Sequence, residues 1–167
     1  MSGISRKPFS LVLALVFLMS SLAISIKPLE AGRVAPEFRL TDLNQKTFLL
    51  SSVLGKKPVV LFFWTTWCPF CRVELRSLSR RYARLTQEGI ELLFIDVGES
   101  EAKVNNFLRT NSISINVFMD KDTKVASLYS VLGVPTYVFI DKKGNIVSQK
   151  NSFPENEYRR LLKLDEK

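Results

Sequence analysis

The chain has 167 residues, enough for one domain with a hydrophobic core and too few for two ordinary domains. Apolar residues make up 46% and charged residues 24%, a balance typical of a globular protein. The net charge of +8 is spread without a long basic block, which predicts a solvated basic surface, suited to anionic lipid headgroups, and no nucleic-acid partner. The absence of histidine excludes histidine catalysis and histidine metal ligands, and two cysteines alone cannot complete a tetrahedral zinc site. We therefore expect no metal.

Residues 1–27 carry a targeting pattern. Arg6 and Lys7 precede an uncharged, mostly apolar stretch at 9–26, which Lys27 ends. The apolar part of a secretory signal is about 7–15 residues long. This stretch of about 18 residues would span about 27 Å as a helix, close to the hydrocarbon core of a bilayer. The pattern favours an uncleaved membrane anchor over a cleaved signal, and both place residues 28–167 on the extracytoplasmic side, where disulfides persist.

Strands and helices alternate along residues 28–167, without repeats. Short apolar runs around a polar turn at 41–46 predict a hairpin. The continuous apolar run at 59–64 predicts a strand buried on both faces, and helical spacing of apolar residues after the cysteines predicts a helix up to Gly89. Further strands are predicted at 90–97, 117–120, 137–140 and 146–149, and further helices at 101–110, 123–129 and 155–164. We predict an α/β fold, a mixed sheet with helices on both faces.

The two cysteines, Cys68 and Cys71, lie where the 59–64 strand gives way to a helix. Two intervening residues at a helix start bring the sulfurs close enough to bond, and the positive end of the helix stabilises the first thiolate. Pro69 suits the first helical turn, and Arg72 adds a positive charge nearby. We predict thiol–disulfide exchange, with Cys68 as the nucleophile and Cys71 as the resolving thiol. A purely structural disulfide is the alternative, but closing so short a loop would stabilise the fold little.

Glu74 and the 134–136 segment each allow two interpretations. Glu74 shares a helical face with Cys71, and the positions three and four residues further on offer it no cation. It is either a partly buried proton carrier for Cys71 or a solvent-facing acid favoured by the helix dipole. Val134-Pro135-Thr136 could be an ordinary turn that opens a strand.

Four segments carry a family resemblance. They are residues 35–43 (APEFRLTDL), residues 63–74 (FWTTWCPFCRVE), and the later pair Asp96 to Ser100 and Gly133 to Thr136. In this order they resemble the TlpA/ResA-like membrane-associated thioredoxins, and the resemblance covers essentially everything from Gly32 onward.

The resemblance implies a thioredoxin fold with an N-terminal β-hairpin and a central insertion around residues 101–120. It implies a cis Val134–Pro135 bond in a loop that faces the cysteines and docks the client, and a functional buried acid at Glu74. Members of the family use no cofactor beyond the redox-active disulfide. They draw electrons from a CcdA/DsbD-type membrane thiol carrier and reduce client proteins, notably the CxxCH disulfide of apocytochrome c.

Two departures limit what the resemblance implies. The dipeptide between the cysteines is Pro69-Phe70, whereas the dipeptide of ResA-like members of the family resembles Glu-Pro. This dipeptide strongly influences the reduction potential. We expect Trp67, Pro69 and Phe70 to contact the client together with residues 134–136. Phe62 stands where thioredoxin carries a buried aspartate, so Glu74 is the only obvious proton carrier beside the cysteines.

Three other functions are alternatives to a client-reducing thioredoxin. A peroxiredoxin-like peroxidase shares the fold and the Ala-Pro-x-Phe opening, but the proline that its pattern requires before the cysteine is missing ahead of Cys68. A Sco-type copper protein would need a CxxxC pair and a distal histidine, and the chain has neither. A thiol oxidant or isomerase would use the same cysteines, and only the reduction potential distinguishes it from a reductase.

Overall fold

A computed structural model describes residues 32–164, and these contain a seven-stranded mixed sheet. The order across the sheet is β2-β1-β5-β4-β3-β6-β7. Strands β3, β4 and β5 are mutually parallel, whereas β1, β2, β6 and β7 pair with their neighbours antiparallel. The strands are β1 (Arg39–Asp42), β2 (Thr47–Leu49), β3 (Val59–Trp64), β4 (Glu91–Val97), β5 (Val117–Asp120), β6 (Thr136–Ile140) and β7 (Ile146–Lys150).

The helices follow the strands as the alternating pattern predicts, and the chain has the thioredoxin fold. Within the described residues they are α1 (Pro69–Gln87), α2 (Glu101–Thr110), α3 (Lys124–Leu128) and α4 (Tyr158–Leu161), and a 3₁₀ turn lies at Leu50–Ser52. The segment expected to be an insertion forms α2 and β5, and β5 joins the central strands to the N-terminal hairpin of β1 and β2.

The core lies on both faces of the sheet because the central strands are apolar on both sides. Every residue of β3 is buried, and successive side chains point to opposite faces. One face packs residues such as Phe62 and Phe94 against α1, and the cysteines belong to this cluster. The other face packs residues such as Phe63 and Ile95 against α3 and the N-terminal segment. The prediction of helices on both faces is confirmed.

Helix α1 begins at the cysteines and places its apolar side on the sheet. The Cys68 Sγ caps the helix by accepting the Cys71 N–H at 3.2 Å, and Pro69 occupies the first turn. Leu75, Leu78 and Leu85 are buried along one side. The helix stops before Gly89, whose φ of +85° is a conformation that favours glycine.

The last predicted helix is shorter than expected. The sequence pattern spans 155–164, but α4 covers only Tyr158–Leu161. Residues 155–157 form a turn, and Lys163 adopts a φ of +54°, which ends the helix. Tyr158 and Leu162 still pack into the core on the α1 face, so the amphipathic character of the segment is realised in a single turn.

The chain enters the described domain at the end of the sheet opposite the cysteines. The Gly32 N–H donates to the Ile146 carbonyl at 2.6 Å, and the Ala35 N–H donates to the Gly144 carbonyl at 2.8 Å. Ile146 pairs with Ile140, which pairs with Val59 at the start of β3. Within residues 32–164 no helix is long and apolar enough to span a bilayer, and the predicted anchor at 1–27 lies outside the described residues.

Candidate redox site

Cys68 and Cys71 form a disulfide at the N-terminus of α1. Their Cα atoms are 5.2 Å apart, and the side chains sit at the carboxyl end of β3. Cys68 is 4% exposed and Cys71 is fully buried, so Cys68 is the one nearer the surface. On reduction, the unpaired N–H groups and the dipole of the helix would stabilise a Cys68 thiolate. The pair is therefore suited to opening and closing of the disulfide.

The loop before β6 closes over Cys68. The Val134–Pro135 bond is cis, as the family resemblance implies, and the Val134 carbonyl oxygen lies 3.6 Å from Cys68 Sγ. Val134 and Pro135 are half-buried beside the disulfide. Thr136 is buried, and its hydroxyl donates to the Gly133 carbonyl at 2.7 Å, so its side chain serves the loop itself.

Exposed apolar side chains surround the disulfide on the surface. Trp67 is 61% exposed and Phe70 75% exposed, on either side of Cys68 in sequence, and Pro69 between them is exposed as well. Leu132, in the loop that leads to Pro135, is 90% exposed. We call Trp67, Phe70 and Leu132 the apolar rim. A rim of this kind favours contact with another apolar surface.

Glu74 is half-buried and hydrogen-bonded to residues far away in the sequence. The Tyr137 hydroxyl donates to Glu74 Oε2 at 2.6 Å, and the Phe153 N–H donates to the same oxygen at 3.4 Å. Burial raises the pKa of Tyr137 far above its usual value, and the hydrogen bond to Glu74 raises it further, so the phenol remains a donor. The Glu74 carboxyl group thus faces Tyr137 and Phe153 and not solvent, so the interpretation as a solvent-facing acid is wrong. Its role in proton transfer stays a prediction.

Phe62 fills the position that a buried aspartate occupies in thioredoxin. It is fully buried in β3, and its ring stacks on Tyr137 with the ring centroids 4.6 Å apart. The Tyr137 side chain therefore links Phe62 to Glu74. Phe62 offers no carboxyl group at this position, and Glu74 as the proton carrier for the cysteines stays a prediction.

A second acidic group, which no local sequence pattern indicates, contacts Thr66, two residues before Cys68. Glu99 accepts hydrogen bonds from the Thr66 N–H and, at 2.8 Å, from the Thr66 hydroxyl, and it pairs with Lys103 Nζ at 2.6 Å. Burial acts to raise the pKa of Glu99, but these hydrogen bonds outweigh burial and hold the pKa below its usual range. Arg72 Nε donates to the Thr66 carbonyl at 2.6 Å, so the residue two before Cys68 is held from both sides.

Asp96, at the end of β4, lies next to this group. It is fully buried, and burial, with a smaller effect of Glu99, raises its pKa to about 8. The signal that could have found Asp96 is its charge inside the apolar run at 90–97. Among residues 32–164 no group of three or more acidic or cysteine side chains could hold a metal ion.

Known proteins match the chain over this same domain. Residues 31–149 match the model of the AhpC/TSA family. The thiol–disulfide oxidoreductase ResA of Bacillus cereus strain ZK is 36% identical over 121 residues, 72% of this chain and 69% of that protein. ResA of Bacillus subtilis is 36% identical over 70% of this chain and 64% of that protein. The matched region thus spans about two thirds of these relatives.

A solved structure agrees with the sequence relatives. The crystal structure of a putative thiol:disulfide interchange protein DsbE from Chlorobium tepidum superposes with a TM-score of 0.70 at 26% identity, over 82% of this chain and 96% of that one. The family match, the curated relatives and the Cys68–Cys71 disulfide at the helix start all indicate the same chemistry. The chain therefore belongs to the ResA-like thiol–disulfide oxidoreductases within the AhpC/TSA family.

Proposed function

We propose that this oxidoreductase reduces disulfides in extracytoplasmic client proteins, with the CxxCH disulfide of apocytochrome c as the leading candidate. The observation that carries the proposal is the Cys68–Cys71 disulfide, half covered by the Val134–Pro135 loop and surrounded by the apolar rim. An extended apolar segment of a client could lie against this surface with its own disulfide above Cys68. The names of the curated relatives agree with the class of reaction and leave the client open.

The reaction would proceed through one mixed disulfide. The reduced Cys68 thiolate attacks one client sulfur, the client S–S bond breaks, and the released client thiolate takes up a proton. Cys71 then loses its proton and attacks Cys68 Sγ, which restores the Cys68–Cys71 bond and releases the second client thiol. Two electrons pass to the client, whose first thiolate takes its proton from water and whose second thiolate takes the proton that Cys71 released. In this scheme Glu74 accepts the Cys71 proton, because the two side chains share one helical face.

The oxidised protein must be reduced again by a dithiol donor. We propose a membrane thiol carrier of the CcdA/DsbD type, with residues 1–27 as the anchor that keeps the domain on the extracytoplasmic side. No other cofactor enters this scheme, since the electrons travel from one cysteine pair to the next. The basic-then-apolar order of residues 6–26 supports this location.

A trapping experiment tests the assignment of the cysteines and identifies clients. Cys71→Ser removes the resolving thiol, so we expect mixed disulfides between Cys68 and client cysteines that a reductant releases. Cys68→Ser is the matched control and should capture nothing. Clients held through Cys71 in the control, or no capture through Cys68, would show that the nucleophile is wrongly assigned.

Pro69-Phe70 favours a second candidate, an oxidant or isomerase with the same cysteines. The reduction potential decides between them. A reductase should have a potential at or below the glutathione range, about −220 to −260 mV, whereas a strong oxidant lies near −120 mV. Equilibration of the full-length protein with glutathione buffers measures it. Because residues 31–149 match the AhpC/TSA family, turnover of peroxide should be assayed in addition to the reduction potential. Rapid peroxide turnover would overturn the proposal.

A further inference from the structure

Asp96 is a buried acid whose carboxyl group meets no side-chain donor among residues 32–164. It pairs with Trp64 across the β3–β4 register, and its side chain points to the same sheet face as Phe94, the face that carries the cysteines. Neither carboxyl oxygen has a hydrogen-bond partner, although the residue is fully buried. An ionised carboxylate in such a place is costly, because burial without hydrogen bonds strongly disfavours the charged form. A proton on Asp96 would remove that cost.

Glu99 is the opposite case, a buried acid with a full set of donors. Its side chain is 4% exposed and receives the Thr66 N–H, the Thr66 hydroxyl and the Lys103 ammonium group. It also precedes the N-terminus of α2, where negative charge is stabilised. Glu99 is therefore the member of this acidic pair that carries the negative charge.

The two acids act on each other. Two ionised carboxylates cannot hydrogen-bond, whereas a protonated Asp96 can donate to Glu99. The Glu99 carboxylate favours the proton on Asp96, whereas the Glu99 backbone N–H and the Lys103 ammonium group oppose it. From α1, Arg72 holds the Thr66 carbonyl oxygen. One proton on Asp96 and one negative charge on Glu99 is the arrangement that satisfies all these groups.

We propose that Asp96 and Glu99 form a positioning pair for the redox loop, in which the proton held by Asp96 allows Glu99 to keep its hydrogen bonds to Thr66. Thr66 is two residues before Cys68, and its N–H, hydroxyl and carbonyl are all engaged. The pair thus fixes the start of α1 and, with it, the place of Cys68 Sγ beside Val134. Loss of the Asp96 proton adds a second negative charge next to Glu99, and the repulsion loosens the contact with Thr66.

Three variants of the full-length protein separate this role from a merely structural one. Asp96→Asn keeps a donor toward Glu99 that cannot titrate. Glu99→Gln removes the negative charge that holds Thr66. Glu101→Gln is the matched control, since Glu101 belongs to the start of the same helix but is partly exposed and paired with Lys121.

Hydrogen exchange at the Thr66 amide reports the positioning. In the wild type we expect slow exchange at pH 6 and a loss of protection above about pH 8, beyond the ordinary base-catalysed rise. Asp96→Asn should keep the protection across the whole range. Glu99→Gln should exchange about tenfold faster or more at every pH, as expected for loss of a charged hydrogen bond, and Glu101→Gln should match the wild type.

Infrared spectroscopy reports the proton itself. The difference spectrum of wild type minus Asp96→Asn should contain a carboxylic-acid C=O band at pH 6 that disappears above about pH 8. The absence of this band at pH 6 would overturn the proposal, as would equal protection of Thr66 in Glu99→Gln and Glu101→Gln. If Glu99→Gln does not fold, the comparison of wild type with the isosteric Asp96→Asn decides, because identical pH profiles of Thr66 exchange in the two proteins would refute the shared proton.

Discussion

Removing one hydroxyl tests whether the hydrogen bond from Tyr137 holds the Glu74 carboxyl group against the domain. Tyr137→Phe deletes the donor that lies 2.6 Å from Glu74 Oε2 and keeps the ring that stacks on Phe62. The remaining donor to that oxygen, the Phe153 N–H at 3.4 Å, is too distant to replace it. A hydrogen bond to a charged group contributes about 1.5–3 kcal/mol. We expect the variant to lose about 2 kcal/mol of unfolding free energy.

Urea unfolding of the oxidised protein at pH 7, followed by tryptophan fluorescence, measures this loss. A double-mutant cycle with Glu74→Gln isolates the pair, and we expect a coupling energy of about 1 kcal/mol or more. Tyr82→Phe is the matched control, because Tyr82 is partly exposed and its hydroxyl bonds to no other described residue. A Tyr137→Phe effect no larger than the control, or additive single mutants, would refute the reasoning.

Three further predictions concern the groups around the disulfide. Burial raises the pKa of Asp96 from its ordinary value of 3.8 to about 8 in the folded protein. Protonated Asp96 therefore stabilises the fold most at low pH, and this contribution is lost as pH rises through 8. Relative to Asp96→Asn, the wild type should lose up to about 1.4 kcal/mol of unfolding free energy per pH unit from pH 5 to 8. Urea unfolding of both proteins at several pH values measures this, and the same pH dependence in both would contradict the prediction. Glu74→Gln should slow the resolving step and alter the thiol titration of the reduced protein, whereas unchanged titration and activity would exclude Glu74 as the proton carrier. Phe70→Ser should slow exchange with protein disulfides and leave exchange with a small disulfide unchanged within about twofold, because its exposed ring contributes contact area alone; equal slowing of both would place Phe70 in the chemistry instead.

Most of the scaffold was predictable because its signals are local. The apolar run at 59–64 and the helical spacing after Cys71 determine β3 and α1 directly, and both agree with the structure. The final helix was overestimated because amphipathic spacing continued past the point where Lys163 turns the backbone. The cis bond before Pro135 came from the family resemblance, since X-Pro residues alone do not indicate it.

The electrostatics of the site was less predictable because its partners come from distant segments. The helix of Glu74 offers it no cationic partner in the next turn, whereas Tyr137 and Phe153 reach it from β6 and from the segment after β7. In the sequence Glu99 stands out only as part of a family motif. Its contact with Thr66 joins residues that are 33 positions apart. Such contacts depend on the register in which β4 pairs with β3. No local sequence pattern determines that register.

The entry of the chain beside Ile146 determines which way the disulfide is presented. Gly32 is attached level with the first residue of β3, and the cysteines follow its last residue, about 17 Å further along the strand direction. The residue at which the described domain begins and the apolar rim therefore lie toward opposite ends of the sheet. A client that docks on the rim approaches the end that is remote from Gly32.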